Sequence, residues 1–218
     1  MSNKVELIDW YGGDKAIARA AWTSTNIDVN SKTEAQIEDL IVNKLWNNGT
    51  GKPHKTPFER GLVEFNITCE QASHIHLLKH RLANINGESA RYKELKEDKF
   101  YLPEDWKGIW DNATQEYWLT TLEKFTKESN ELYHRAIRDL TPILGRKRAK
   151  ESARFFKTMN SQLTLSVMMN MSCFQNFVTL RADDAAQKEI HEIADMMVEA
   201  VKNIEGNPFK YTLRAFGL

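Results

Sequence analysis

Apolar and polar positions alternate from Leu62 to Cys69, with Val63, Phe65, Ile67 and Cys69 on one face and Glu64, Asn66 and Thr68 on the other. That alternation predicts a half-buried strand with Cys69 pointing inward. Val5 to Trp10 is a shorter run of strand type, broken by Gly12 and Gly13. Asp14 is then placed to cap a helix to about Trp22, with Ala16, Ile17, Ala20 and Ala21 on one face. Thr33 and Gln36 have the spacing of a capping box, and Ile37, Leu40, Ile41 and Leu45 follow at helical intervals until Asn47-Asn48-Gly49. Residues 70 to 80 predict a short helix. From Pro103 to about Leu140 the pattern is that of one long helical region, with Trp118, Leu122, Phe125, Leu132, Tyr133 and Ile137 as its apolar stripe, and Pro142 restarts the chain. Leu163 to Val167 predicts a strand and Met168 to Leu180 a nearly all-apolar buried helix. Asp184 and Gln187 then start a last long helix, whose face is Ile190, Ile193, Ala194, Met197, Val198 and Val201. Gly206-Asn207-Pro208 ends it and leaves a short tail. Without repeats or linkers, residues 1–218 predict a single α+β domain.

Composition acts mainly by exclusion. Thirty basic and thirty acidic residues cancel, so net charge gives no argument for binding nucleic acid or membrane, and any anion site must come from local clustering. Cys69 and Cys173 lie far apart and form no C-x-x-C pair, which argues against a zinc ribbon, a redox motif or a secreted disulfide framework. The first ten residues carry no signal-peptide apolar stretch, and no apolar segment approaches the roughly 20 residues that span a bilayer. A soluble protein of the reducing cytoplasm is expected.

Chemistry concentrates between Lys79 and Tyr92, in Lys-His-Arg-Leu-Ala-Asn-Ile-Asn-Gly-Glu-Ser-Ala-Arg-Tyr. With neither helical nor strand periodicity, the stretch predicts a loop of hydrogen-bonding groups. Arg81 and Arg91 offer planar donor forks for phosphate or carboxylate, while Asn86 and Ser89 both donate and accept, as reading a ring edge requires. An anionic ligand with a polar ring follows. His76 and His80, four apart, with His74 nearby, could chelate a metal on a helix, but no further ligand completes the shell and none is expected. The basic cluster Gly145 to Lys150 lacks interleaved aromatics and suits a solvated face or a phosphate-attracting rim.

The same stretch resembles the signature of the flavin-dependent thymidylate synthases, Arg-His-Arg-x-x-Ser-x-Asn-Glu-x-Ser-x-Arg-Tyr. His80, Arg81, Asn86, Ser89, Arg91 and Tyr92 match; Lys79 replaces the first arginine, Asn84 the first serine and Gly87 the glutamate, with Glu88 one position later. Residues 54–60 resemble the family's His-x-Thr-Pro-Phe-Glu-His element, with Arg60 in place of the final histidine. Ala153-Arg154 resembles its Ala-Arg-x-x-Leu-Pro element, with Lys157-Thr158 where Leu-Pro would stand. Leu180 to Gln187 resembles Leu-Arg-x-Asp-x-His-Ala-Gln, with Ala185 at the histidine.

The resemblance implies the thymidylate synthase-complementing type of α+β fold, a mixed sheet with long helices, assembled as a homotetramer with active sites that span subunits. It implies methylation of dUMP at C5 to dTMP, with FAD as cofactor and methylenetetrahydrofolate and NADPH as co-substrates. Lys79, His80, Arg81, Thr56, Glu59, Asn170, Asn176 and Ser24 would then face FAD, and His76, Glu88, Ser89, Arg91, Arg154 and Arg181 the nucleotide. Arg181, Ser89 and His54 would stand at the chemistry. Asn170 and Asn176 have an alternative, bonding to neighbouring backbone. The substitutions at Lys79, His76, Arg60, Gly87 and Ala185 point to a divergent, viral-type member. They leave open a hydroxymethylated product, or a nucleotide-binding relative without turnover.

Overall fold

The alternation along Leu62–Cys69 is realised in the computed structural model, which describes residues 1–218, as strand β2 (Leu62–Glu70). Val63, Phe65, Ile67 and Cys69 are all fully buried there. The other strands are β1 (Lys4–Tyr11), β3 (Asn84–Gly87) and β4 (Gln162–Asn170), and the sheet order is β1-β2-β4-β3. β3 lies inside the stretch expected to be a loop. Its polar residues fit an edge position, where only one side of the strand pairs. A side chain at Gly87 would press on Leu165 Cδ2 from 2.8 Å, so the glycine suits this edge better than a glutamate would.

The helices are α1 (Gly13–Thr23), α2 (Glu34–Asp39), α3 (Gln71–Leu77), α4 (Asn112–Leu144), α5 (Arg146–Ala153), α6 (Met171–Arg181), α7 (Lys188–Lys202) and α8 (Lys210–Phe216). None is long and apolar enough to cross a membrane. The chain divides into two compact units.

The first unit comprises Met1–Asn3, Thr68–Leu77 and Gly87–Leu165. Leu95, Tyr133, Ile137, Ala153 and Leu163 form a buried cluster, inside which the Tyr133 hydroxyl accepts the Leu95 N–H at 3.1 Å. Asp111 caps α4 by accepting from Thr114 N–H at 3.0 Å. The helix continues through Pro142, expected to break it, and stops at Gly145, whose φ of 75° ends regular helix. Only the C-terminal half of the predicted stripe is buried: Tyr133 and Ile137 are in the core, whereas Trp118 and Phe125 are exposed.

The second unit comprises Lys4–Ile67, Leu78–Asn86 and Ser166–Leu218. Gly12, not Asp14, precedes α1, because the chain turns there at φ 95° and a Cβ would run into the Arg60 carbonyl. Asp14 instead sits buried in the first turn and accepts hydrogen bonds from Tyr211 N–H (2.7 Å), Thr212 N–H (3.0 Å) and Thr212 Oγ1 (2.6 Å). The expected tail is therefore a packed helix, α8. The capping box at Thr33 and Gln36 forms, and α2 passes into a π-helical segment, Leu40–Trp46. Met168 and Met169 belong to β4, since the strand's alternation runs on to Asn170, and α6 starts only at Met171. α7 starts at Lys188, past the expected Asp184.

Candidate active site

In the first unit three of the residues expected at the nucleotide, Glu88, Ser89 and Arg91, lie on the turn after β3. Glu88 N–H donates to the Thr164 carbonyl at 2.9 Å, and its carboxylate accepts from Thr164 N–H and Lys93 Nζ, each at 2.9 Å. Burial opposes ionisation of Glu88, but the Lys93 and Thr164 hydrogen bonds outweigh it and hold the carboxyl below its usual range. Both oxygens of Glu88 thus serve the protein and fix the turn. Ser89 follows, its carbonyl accepting from the Tyr92 and Lys93 N–H groups at 3.0 and 2.9 Å, and its Oγ accepting the Arg91 N–H at 3.3 Å. Arg91 Nε pairs with Glu151 on α5, which Arg148 also reaches at 3.2 Å. Those two guanidinium groups keep the Glu151 carboxyl below its ordinary range. Arg154 stands exposed one helical turn beyond Glu151. Two guanidinium groups on one carboxylate leave a net positive charge, which suits a phosphate. His76 is half-buried on α3.

The basic segment between Gly145 and Lys150 also acts on this loop. Arg146 pairs with Glu94 at 2.5 Å, and Lys150 Nζ donates to the Tyr92 carbonyl at 2.6 Å. Neither role could be read from spacing, because the partners lie more than fifty residues away. The only signal was basic charge close to an element that already resembled a nucleotide-binding motif.

In the second unit two distant motifs meet. Arg181 Nε donates to His80 Nε2 at 3.1 Å, and the His80 ring packs edge-on against Phe177 with centroids 4.8 Å apart. A guanidinium only donates, so His80 accepts on Nε2 and carries its ring proton on Nδ1. Lys79 and Arg81 are exposed beside it in sequence, in a turn closed by the Arg81 N–H on the Lys79 carbonyl at 3.1 Å. α3 ends at Leu77, so His76 and His80 do not share a helix face and the i, i+4 chelate does not form.

The element at residues 54–60 is a 3₁₀ turn, Thr56–Arg60, anchored by fully buried Phe58 against the Trp46 and Phe216 rings at 5.7 and 5.3 Å. That anchor leaves His54, Thr56 and Glu59 exposed. Thr56 and Arg60 line a cavity of about 370 Å³ with Tyr11, Arg19 and Thr23 among its other walls. Ser24 is exposed, its hydroxyl donating to the Ala21 carbonyl at 2.9 Å. Asn170 caps α6, Oδ1 accepting the Cys173 N–H at 2.8 Å, so for this asparagine the backbone alternative holds. Asn176 Oδ1 instead accepts from Lys55 Nζ at 2.8 Å. Lys55 sits inside the motif at a position to which the resemblance assigns no role. The donor set fits FAD: cationic groups at Lys79, Arg81 and Arg181 suit pyrophosphate and ring carbonyls, and Asn176 adds an amide.

The family model for thymidylate synthase complementing proteins matches residues 6–205. The chain belongs to that family. Among the thymidylate synthase complementing proteins it is 28% identical over 200 residues to a flavin-dependent thymidylate synthase of Pseudothermotoga lettingae, covering 92% of this chain and 85% of that one. To the flavin-dependent thymidylate synthase of Thermosipho melanesiensis it is 29% identical over 203 residues, covering 91% and 85%. In fold it is similar to the crystal structure of a UMP/dUMP methylase, PolB, from Streptomyces cacaoi bound with 5-Br dUMP. That likeness has a TM-score of 0.82 at 23% identity, with 99% of this chain and 95% of that one covered. The family model takes in residues of both units, and all four resembling motifs fall inside it.

Proposed function

We propose that this thymidylate synthase complementing protein methylates dUMP at C5 to give dTMP, with FAD as cofactor and methylenetetrahydrofolate and NADPH as co-substrates. The observation that carries the reading is the 3.1 Å contact between His80 and Arg181, which joins the first signature to the second. The names of the two relatives and of the PolB methylase support it. When bound, FAD, once reduced by hydride from NADPH, would supply the hydride that turns a transferred methylene carbon into a methyl group, returning to the oxidised flavin. Arg181, oriented by His80, holds positive charge at the pyrimidine oxygens, where it stabilises the negative charge that makes C5 nucleophilic. Arg91 and Arg154 take the phosphate, and Ser89 and His76 the rest of the nucleotide, on a turn that Glu88 holds in shape. Lys79, His80, Arg81, Thr56, Glu59, Ser24 and Asn176 face FAD. Asn170 supports them through the start of α6, and His54 lies at the folate side.

In this reading the protein works in the cytoplasm as a homotetramer. Exposed Trp118, Phe125 and Phe155 supply apolar surface for self-association, and light scattering should return the mass of four chains. The arginines separate the roles. Arg91→Ala and Arg154→Ala should each weaken dUMP binding about tenfold or more, from charge-assisted contacts worth roughly 1.5–3 kcal/mol, while FAD binding holds. Arg181→Ala should instead slow turnover about 100-fold with smaller changes in binding. Calorimetry that finds dUMP affinity unchanged in the first two variants would show that the phosphate binds elsewhere.

A further inference from the structure

Lys55 lies between His54 and Thr56, at the position the family motif leaves to any residue. Its Nζ donates to Asn176 Oδ1 at 2.8 Å and to Gln175 Oε1 at 2.9 Å, and lies 5.8 Å from the Trp46 ring centroid. We propose that Lys55 is a positioning residue for FAD: it turns the Asn176 amide so that its two N–H donors, and not its carbonyl oxygen, meet the isoalloxazine. The inference rests on the reading that Asn176 faces FAD.

The two ends of a side-chain amide are nearly equal in size, so an asparagine with free choice can present either. An ammonium removes that choice. It has donors only, and both amides facing it must turn their oxygens inward. Gln175 is braced further, because its Nε2 donates to Thr179 Oγ1 at 2.7 Å on the same helix, α6. The lysine is itself held at its root, since the turn it enters is anchored by buried Phe58. Asn176 is therefore left offering two N–H groups. The pyrimidine edge of an isoalloxazine carries two carbonyl oxygens on either side of one N–H; amide donors complement the oxygens, against which a carbonyl would be repulsive. The ammonium also adds positive charge next to the amide, which strengthens its N–H groups as donors.

A double-mutant cycle read as FAD affinity, by fluorescence quenching on titration, tests this. Lys55→Met should weaken FAD binding about tenfold and shift the visible band of the bound flavin, with dUMP affinity unchanged by calorimetry. Lys55→Arg, which keeps donors facing the two oxygens, should recover most of the loss. In an Asn176→Ala background Lys55→Met should cost nothing further, since no amide remains to orient. Lys55→Gln, which removes the charge but keeps a polar chain, replaces Lys55→Met if the latter does not fold. Undiminished FAD affinity in Lys55→Met, or in Lys55→Gln where that stands in for it, or losses that multiply in the double variant, would overturn the assignment while leaving the flavin reading intact. A parent protein that binds no FAD would overturn both.

Discussion

Cys69 is fully buried on the inward face of β2, where burial and then the neighbouring Glu70 charge push its thiol up to about 12. Cys173, also buried, is raised by burial and then by Glu59. Neither is a thiolate near neutral pH, so neither can act as the nucleophile that attacks C6 in the other known thymidylate synthase chemistry. A Cys69→Ala, Cys173→Ala double variant should turn over dUMP within a few-fold of the parent, losing on the order of 1 kcal/mol of stability per site to the vacated volume. A folded, FAD-binding but inactive double variant would refute that. The cysteines were legible from sequence because burial on a strand follows from alternation alone. The partners of Arg91 and Asn176 were not, since Glu151 lies 60 residues from Arg91 and Lys55 lies 121 from Asn176. Long-range pairing of that kind leaves no periodic trace.

Between elements, Asp14 ties α1 to the start of α8, and burial pushes its pKa up to about 6 from an ordinary 3.8, outweighing the hydrogen bonds from Thr212 and Tyr211 that favour the carboxylate. The folded state therefore holds this proton more tightly than the unfolded chain does. Its contribution to stability is full below the unfolded pKa and is lost as pH rises through the folded one. Asp14→Asn keeps one acceptor oxygen, enough for Thr212 but not for the Tyr211 N–H that the second carboxylate oxygen receives, and it cannot ionise. The variant's unfolding free energy in urea should be flatter than the parent's between about pH 4 and pH 7, by at most about 3 kcal/mol. Parallel curves would contradict it. Elements set by local chemistry, such as β2 and the Thr33 capping box, were legible in advance. α8 was missed because its helical order depends on packing against Asp14, and β3 because an edge strand tolerates polar residues at every position.

Across the whole molecule, His76, Glu88, Ser89, Arg91 and Arg154 fall in the first unit, and Lys79, His80, Arg81, Thr56, Asn176 and Arg181 in the second. All the residues proposed for the nucleotide except Arg181 thus lie in the first unit, a partition invisible in the sequence, where the proposed nucleotide and cofactor residues interleave; the motifs themselves, in family order, were legible. Five substitutions, at Lys79, His76, Arg60, Gly87 and Ala185, bear on whether that machinery still turns over. Of these, Gly87 has a structural reason in the close approach of Leu165. The deciding measurement is to incubate the purified protein with dUMP, methylenetetrahydrofolate and NADPH, with and without FAD, and to identify the nucleotide by mass spectrometry. The expected product is dTMP, one CH₂ heavier than dUMP, and its formation should depend on FAD. A product heavier by CH₂O, turnover that is indifferent to FAD, or dUMP recovered unchanged from the FAD-loaded protein would contradict it.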